Sequence, residues 1–225
     1  MESLKIIAKI KTDFPTKFGI PRQSGLVDTV GKIVFEKEYK NPAALKGLED
    51  FSHLWLIWGF SEVDKTEWSP TVRPPRLGGN KRVGVFATRS PFRPNNLGLS
   101  CVKLEKVKND KNFGDILVVS GVDLLDNTPI YDIKPYIPYS DCKPDAKGSF
   151  GEALKDENID VFYQENVFFN IDENIKNAVI SIIEQNPKPA YKQQEKEYKF
   201  LFSDYEISFI INENKATILN IQKIN

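Results

Sequence analysis

The sequence predicts a mainly β protein, in which a small barrel is followed by a small α+β domain. Short segments rich in Val, Ile and Phe recur before Asp141, and Gly, Pro and Asn separate them. This spacing favours a closed barrel over an alternating βαβ sheet. After Asp141 the sequence changes to a polar linker, one helical pattern and further strands. We therefore expect a barrel over residues 1–142 and an α+β domain over residues 143–225.

Six segments of the first part are predicted strands, because β-branched and aromatic residues dominate or alternate in them. They are Lys5–Thr12, Gly31–Tyr39, His53–Phe60, Lys81–Thr88, Leu99–Val107 and Asp115–Leu125. The segment Asn41–Phe51 is predicted to form one or two helical turns. Asn41 can cap these turns, Pro42 suits the first helical position, and Gly47 lies near the end.

The second part begins with a predicted linker or long loop, the polar and small-residue-rich segment Cys142–Asn158. Apolar residues then recur at helical spacing in Asn170–Tyr191, with Asp172 as the expected N-cap. The segment Glu197–Ile224 predicts two or three strands with a turn at Asn212–Asn214. Together these elements predict the α+β domain.

Composition narrows the class of protein. A chain of 225 residues that is 40% hydrophobic and 28% charged can bury a substantial core. Two cysteines and one histidine, without ligand-like spacing, argue against a disulfide framework or a metal site. The N-terminus lacks a signal-peptide pattern, and the longest apolar stretch, Leu54–Phe60, is too short to span a bilayer. We expect a cytoplasmic protein without a membrane partner.

Charge is balanced overall but concentrated locally. The sequence has 31 basic and 31 acidic residues, yet the segment from Lys65 to Lys103 has eight basic residues against one acidic residue, Glu67. Such a segment indicates an anionic partner such as a phosphate backbone. The alternative is that neighbours in sequence are scattered over different faces of the fold.

Several common catalytic motifs are missing from the sequence. No G-x-G-x-x-G follows a strand, and there is neither a P-loop nor a G-x-S-x-G elbow. A histidine-based triad would depend on His53, which lies in an apolar run where a core or strand-edge position is the better interpretation. The usual nucleotide and hydrolase classes are therefore not indicated.

Four stretches are rich in groups that bind ligands rather than pack a core. They are Phe18–Val27, Trp68–Arg82, Gly84–Ser100 and Gly121–Asp141. Arginines between prolines present fixed guanidinium forks to carboxylate or phosphate. Carboxylates such as Asp123 suit an ammonium, a ribose hydroxyl pair or a sulfonium cation, and tyrosines beside a lysine suit an unstacked base. Each stretch alone could equally be a turn or a packing surface.

Five motifs resemble, in order along the chain, the TsaA/TrmO family of tRNA methyltransferases. They are "PRQSGLV", "LEDFSHLWLIW", "TVRPPRLGGNKRVGVFATRSPFRPNNLGLS", "DLLDNTPIYDIKPYIPYSD" and "NPKPAY". The resemblance implies methylation of N6 of threonylcarbamoyladenosine at tRNA position 37, with S-adenosyl-L-methionine as methyl donor. It also implies a β-barrel unrelated to the Rossmann fold and a homodimer that builds the pocket at the subunit interface.

Matching positions imply the cofactor contacts. They are Pro21, Arg22, Gln23, Ser61, Glu62, Arg89, Leu99, Asp123, Leu124, Leu125 and Asp126. The sequence departs from the family pattern at Ser61–Glu62, where His-Gln is expected, at Asn96, where proline is common, and at Asn127, where glycine is common. The candidates for contact with the tRNA anticodon loop are Arg73, Arg76, Arg93, Lys134 and Tyr136.

The expected mechanism is in-line methyl transfer, which depends mainly on positioning because the donor is already activated. N6 must also lose a proton, and Asp126 or a neighbouring carboxylate is the predicted base. Two alternatives stay open at this point: a non-catalytic barrel that binds single-stranded RNA, and a small-molecule enzyme or sensor that uses the donor without RNA. Asp123 and Asp126 argue against a purely RNA-binding groove.

Overall fold

A closed barrel and a second, open sheet form the architecture of the protein. The computed structural model describes residues 4–63, 68–74, 77, 81–154, 158–187 and 196–224. In the first part of the chain the strands are β1 Ala8–Thr12, β2 Val30–Phe35, β3 His53–Gly59, β4 Thr71–Val72, β5 Val83–Gly84, β6 Leu97–Asp110, β7 Gly114–Ser120 and β8 Pro129–Pro135. The barrel order is β1-β2-β7-β6-β3-β8, and β4 pairs with β5 as a separate ribbon.

Alternating side chains explain the barrel. Ala8 and Ile10 of β1, and Leu54 and Leu56 of β3, are fully buried, as expected where successive strand residues point to opposite faces. All neighbouring barrel strands are antiparallel, and β8 closes the sheet by pairing with both β1 and β3. The predicted mainly β fold with a barrel is confirmed.

Several strand predictions need correction: β1 begins only at Ala8, β2 and β7 end at Phe35 and Ser120, one predicted strand is broken, and one strand was missed. The segment Lys81–Thr88 is not one strand, because β5 covers only Val83–Gly84 and a 3-10 turn follows at Val85–Ala87. Only Val85 of this turn is buried, so no continuous apolar face exists to hold a longer strand. Conversely, the sequence prediction missed β8. This strand contains polar residues that interrupt its apolar pattern, although it is hydrogen-bonded to a neighbouring strand on each edge.

The predicted helix at Asn41–Phe51 is two short 3-10 turns, Pro42–Leu45 and Leu48–Asp50. Neither turn buries a residue, and Gly47 between them has φ of 82°, which breaks helical geometry. The capping prediction is correct, since the Asn41 side chain accepts a hydrogen bond from the backbone N–H of Ala43 at 3.0 Å.

The second part of the chain combines one long helix with a four-stranded sheet. The short helix α1 Pro138–Asp141 ends the first part, and the elements of the second part are β9 Asp160–Phe162, α2 Glu173–Glu184, β10 Glu197–Phe202, β11 Tyr205–Asn212 and β12 Lys215–Lys223, with the sheet order β10-β11-β12-β9. The predicted N-cap is confirmed, because Asp172 accepts from the N–H of Asn174 at 2.9 Å. The turn predicted at 212–214 joins β11 to β12.

The open sheet packs against the segment that follows β1. Phe14 meets Phe202 edge to face, with 5.3 Å between ring centroids, and the Ser203 N–H donates to the Asp13 carbonyl at 2.7 Å. A Cβ on Gly19 would lie 2.6 Å from the Phe200 ring, so this position requires glycine. Strand β10 therefore supports the chain just before Pro21.

We propose that the boundary between the two domains lies between residues 142 and 143.

Within the described residues, no helix is both long and apolar enough to cross a membrane.

Candidate methyl-donor site

A cavity of about 850 Å³ lies at the end of the barrel where β3 finishes and β6 begins. This volume is typical of a cofactor pocket. The described residues that line it are Lys17, Ile20, Pro21, Arg22, Gln23, Trp58, Phe60, Ser61, Glu62, Val63, Thr88, Arg89, Pro91, Phe92, Arg93, Leu97, Gly98, Leu99, Asp123, Leu125 and Thr128. Three of the four ligand-binding stretches predicted from sequence therefore contribute to one cavity.

Backbone contacts hold the loop around Pro21 on the barrel. The Cys101 N–H donates to Ser24 Oγ at 3.1 Å, and the Gly25 N–H donates to the Gly121 carbonyl at 2.9 Å. Gly121 has φ of 74°, and a Cβ there would lie 3.1 Å from the Gly25 Cα. Glycine at 121 is thus required both by its conformation and by the close approach of the Gly25 backbone. The loop consequently lies directly beside Asp123.

Arg89, Gln23 and Asp123 meet in the cavity although they come from three separate loops. The Arg89 guanidinium donates a hydrogen bond to Gln23 Oε1. Burial raises the pKa of the Asp123 carboxylate, and the positive charge of Arg89 partly opposes that rise. A guanidinium and a carboxylate in one partly apolar cavity can bind the opposite charges of a zwitterionic ligand.

A chain of hydrogen bonds fixes Asp123. The Trp58 indole N–H donates to Ser100 Oγ at 3.0 Å, and the Ser100 hydroxyl donates to Asp123 Oδ1 at 2.6 Å. Trp58 and Ser100 are buried, while Asp123 is half-buried. Burial raises the pKa of Asp123, and hydrogen bonds from Ser100 and from the Ser24 backbone oppose that rise.

Gly98 makes room for this network. A Cβ at this position would lie 2.3 Å from the Trp58 ring, far inside contact distance. The indole therefore lies close against the backbone of β6, and its N–H reaches Ser100 on the same strand. The sequence prediction gave no role to Trp58, because an apolar strand gives no signal that one of its side chains lines a cavity; Gly98 and Ser100 lie in the predicted stretch Gly84–Ser100 but were not singled out.

Internal hydrogen bonds close the loop between β5 and β6. The Arg93 guanidinium donates to the carbonyls of Val85 and Thr88 at 3.1 and 2.8 Å. Asn96, with its amide oriented to satisfy both groups, donates to the carbonyls of Pro91 and Arg93 at 2.9 Å each. Arg93 and Asn96 thus stabilise the loop that carries Arg89 into the cavity.

Nine of the eleven predicted cofactor residues line the cavity, and Leu124 and Asp126 do not. Leu124 is 1% exposed and packs in the core. The Asp126 carboxylate accepts from the Thr12 N–H at 3.0 Å and from the Asn127 amide at 2.7 Å, and Lys11 Nζ lies 3.8 Å away. Asp126 therefore ties β1 to the β7–β8 connection, which removes the geometric support for its role as the base.

The predicted RNA contacts are dispersed. Arg93 lines the cavity, while Lys134 and Tyr136 do not. Lys134 forms an ion pair with Asp132 at 3.0 Å, and Tyr136 packs 5.8 Å from Trp55 at the other end of β3. The remaining two candidates are Arg73, which is exposed just after β4, and Arg76, which lies outside the described residues.

The departures from the family pattern fit the local geometry. Asn127 has φ of 63°, a left-handed conformation that asparagine adopts more readily than other non-glycine residues. The Ser61–Glu62 dipeptide is exposed, and Glu62 forms an ion pair with Lys17 at 3.4 Å that joins two walls of the cavity.

Within the described residues, no three His, Cys, Asp or Glu side chains are grouped as metal ligands.

Comparison with known families identifies the chain. The family model of the tRNA-methyltransferase O N-terminal domain matches residues 9–142, and that of the TrmO C-terminal domain matches residues 169–224. The chain belongs to the tRNA-methyltransferase O family. The resemblance predicted from the sequence motifs is confirmed, and the first match contains every described residue of the cavity wall.

Individual proteins that resemble this TrmO family member support the family assignment. A protein of Escherichia coli (strain K12) named tRNA (adenine(37)-N6)-methyltransferase is 38% identical over 217 residues, which cover 92% of each chain. A probable S-adenosyl-L-methionine-binding protein of Pyrococcus abyssi is 36% identical and covers 63% of this chain and 71% of its own. The crystal structure of TrmO from Pseudomonas aeruginosa superposes with a TM-score of 0.76 at 30% identity, covering 99% of both chains.

Proposed function

We propose that the protein transfers a methyl group from S-adenosyl-L-methionine to N6 of threonylcarbamoyladenosine at position 37 of tRNA. The observation that carries the proposal is the meeting of Arg89, Gln23 and Asp123 in one cavity of about 850 Å³. The names of the relatives support methylation of the tRNA adenine, and the sequence resemblance supports the threonylcarbamoyl group.

The cavity wall fits the proposed donor. Trp58, Phe60 and Leu99 supply apolar surface for an adenine ring, as nucleotide pockets require. Arg89 has further N–H groups beyond the one bound to Gln23, and its planar fork suits the donor's carboxylate. The half-buried Asp123 carboxylate offers a counter-charge for an ammonium or sulfonium group.

The donor, when bound, supplies an activated methyl group, so the protein must position N6 and remove its proton. A base must lie within hydrogen-bond reach of that proton. Of the two carboxylates among the described residues of the cavity wall, Glu62 is exposed and paired with Lys17, whereas Asp123 is half-buried and its burial raises its pKa, which favours proton uptake. We assign the proton-accepting role to Asp123 in place of Asp126.

The RNA-binding, dimeric and cytoplasmic predictions remain part of the proposal. Arg73 and the exposed cations Lys81 and Arg82 can meet phosphates of the anticodon loop. Leu99 is 53% exposed although it lines the cavity, and this apolar surface suits a second subunit of a homodimer. We expect the reaction to take place in the cytoplasm.

Methyl transfer to tRNA, with the methyl carbon of the donor labelled, tests this function. We expect label in tRNA that carries threonylcarbamoyladenosine and none in tRNA with unmodified adenosine. At saturating donor, Asp123→Asn is expected to lower kcat about 10²- to 10⁴-fold, the usual contribution of a general base. The matched variant Asp126→Asn should retain more activity, since the Asp126 carboxylate accepts a hydrogen bond from the β1 backbone and does not line the cavity.

Donor binding is tested separately by calorimetry. We expect wild-type protein to bind S-adenosyl-L-methionine and Arg89→Ala to show no measurable binding. Unchanged affinity in Arg89→Ala would remove this residue from the site. Binding of tRNA without any methyl transfer or donor affinity would instead favour the non-catalytic RNA-binding barrel.

A further inference from the structure

Two exposed aromatic side chains stack against each other outside the cavity. Trp68 is 50% exposed and Phe86 is 71% exposed, and their rings are stacked with 6.3 Å between centroids and 19° between planes. Large aromatic side chains usually bury most of their surface. A parallel pair that leaves so much ring surface open therefore offers a platform for another flat group.

The platform is fixed at the edge of the proposed methyl-donor site. The Ser69 N–H donates to the carbonyl of Phe92, a cavity-wall residue, at 3.2 Å. The Val85 N–H donates to the Pro70 carbonyl at 3.0 Å, which joins the segments on which the two aromatic residues lie. On the other side, the guanidinium of the cavity-wall residue Arg93 lies 5.6 Å from the centroid of the Phe86 ring. One guanidinium thus separates the platform from the cavity.

In the described segments that carry the platform, every charged side chain is basic. Among residues 68–74, 77 and 81–93, which the structure describes, the charged side chains are Arg73, Lys81, Arg82, Arg89 and Arg93, and none is acidic. Aromatic faces set among cations are the combination that binds single-stranded nucleic acid, because bases stack on the rings while cations meet the phosphates.

We propose that Trp68 and Phe86 form a stacking site for an unpaired base of the RNA substrate, next to the nucleotide whose N6 enters the cavity. This inference rests on the proposed function and adds a subsite to it. A second copy of the chain is a poorer occupant, because a symmetric contact through this patch would bring the same cations face to face.

Binding of an anticodon stem-loop RNA to variants of the platform tests the proposal. The change Phe86→Ala or Trp68→Ala is expected to weaken RNA binding about 5- to 150-fold, the range found for the loss of one stacked base. Phe86→Tyr keeps an aromatic face and should bind like wild type, whereas Phe86→Leu keeps apolar area only and should bind like Phe86→Ala. Donor affinity, measured by calorimetry, is expected to stay unchanged in all four.

The matched control is Phe169→Ala, because Phe169 is 77% exposed and lies outside the barrel, between β9 and α2. This variant should bind RNA like wild type. Wild-type affinity in Phe86→Ala, or in Phe86→Leu, would overturn the stacking site. So would a change of oligomeric state in Phe86→Ala that accounts for its loss of binding. If wild-type protein neither binds the RNA nor methylates tRNA, the proposed function itself is wrong; if it does both and Phe86→Ala does too, only the stacking site is wrong.

Discussion

Removing the Ser100 hydroxyl is expected to destabilise the protein and weaken donor binding together. Ser100→Ala deletes a 2.6 Å hydrogen bond to Asp123 and the acceptor of the 3.0 Å bond from Trp58. A bond to a charged group contributes about 1.5–3 kcal/mol and a neutral one about 0.5–1.5 kcal/mol. Since water in the open cavity can replace part of the loss, we take the lower ends, about 2 kcal/mol. Urea unfolding at pH 7 measures this difference.

The loss of stability in Ser100→Ala should increase as the pH rises. Burial raises the pKa of Asp123 above its ordinary value of 3.8, so this group stabilises the fold at low pH and the contribution is lost as the pH rises through the folded-state pKa. The Ser100 bond lowers that pKa, and its removal raises the pKa further. The stability difference between wild type and Ser100→Ala should therefore be smallest below about pH 4 and grow above it.

A second buried serine provides the control. Ser120 also donates a 2.6 Å hydrogen bond to a carboxylate, that of Glu105, but neither residue lines the cavity. Calorimetry should show donor affinity about tenfold weaker in Ser100→Ala, the equivalent of one hydrogen bond, and unchanged in Ser120→Ala. Equal donor affinity in wild type and Ser100→Ala, with a stability loss that does not vary with pH, would refute the network.

Three further predictions concern Gly98, Asn127 and the salt dependence of RNA binding. Gly98→Ala would place a Cβ 2.3 Å from the Trp58 ring, so we expect a loss of about 1–3 kcal/mol in urea unfolding and weaker donor binding. Asn127→Gly should be better tolerated than Asn127→Ala in thermal unfolding, since φ is 63° there, and equal losses would contradict this. RNA affinity should fall linearly on logarithmic axes as salt is raised, and a flat response would argue against phosphate contacts.

The barrel was predictable where burial alternates along a strand. In β1 apolar residues alternate with lysines, and in β3 a continuous apolar run marks the strand; both patterns are local to the sequence. Strand β8 was missed because Asp132 and Lys134 interrupt its apolar pattern, although pairing with β1 and β3 holds it in the sheet. Pairing partners far away in sequence leave no signal in the strand itself.

The choice between Asp123 and Asp126 shows the same limit within the site. Both carboxylates belong to the motif "DLLD", and sequence alone gives no reason to prefer one. The turn after Leu125 directs Asp126 to the backbone of Thr12, while Asp123, just after β7, accepts a hydrogen bond from Ser100 of the neighbouring strand β6. Likewise, the sequence prediction assigned no role to Trp58, because its contact with β6 depends on the absence of a side chain at Gly98.

The position of the transferred methyl group tests the central claim most directly. Purified protein is incubated with S-adenosyl-L-methionine bearing a deuterated methyl group and with tRNA containing threonylcarbamoyladenosine, and the digested nucleosides are analysed by mass spectrometry. We predict the labelled methyl on N6 of threonylcarbamoyladenosine, with the yield strongly reduced in Asp123→Asn. Unlabelled tRNA, or label on a different nucleoside, would contradict the account.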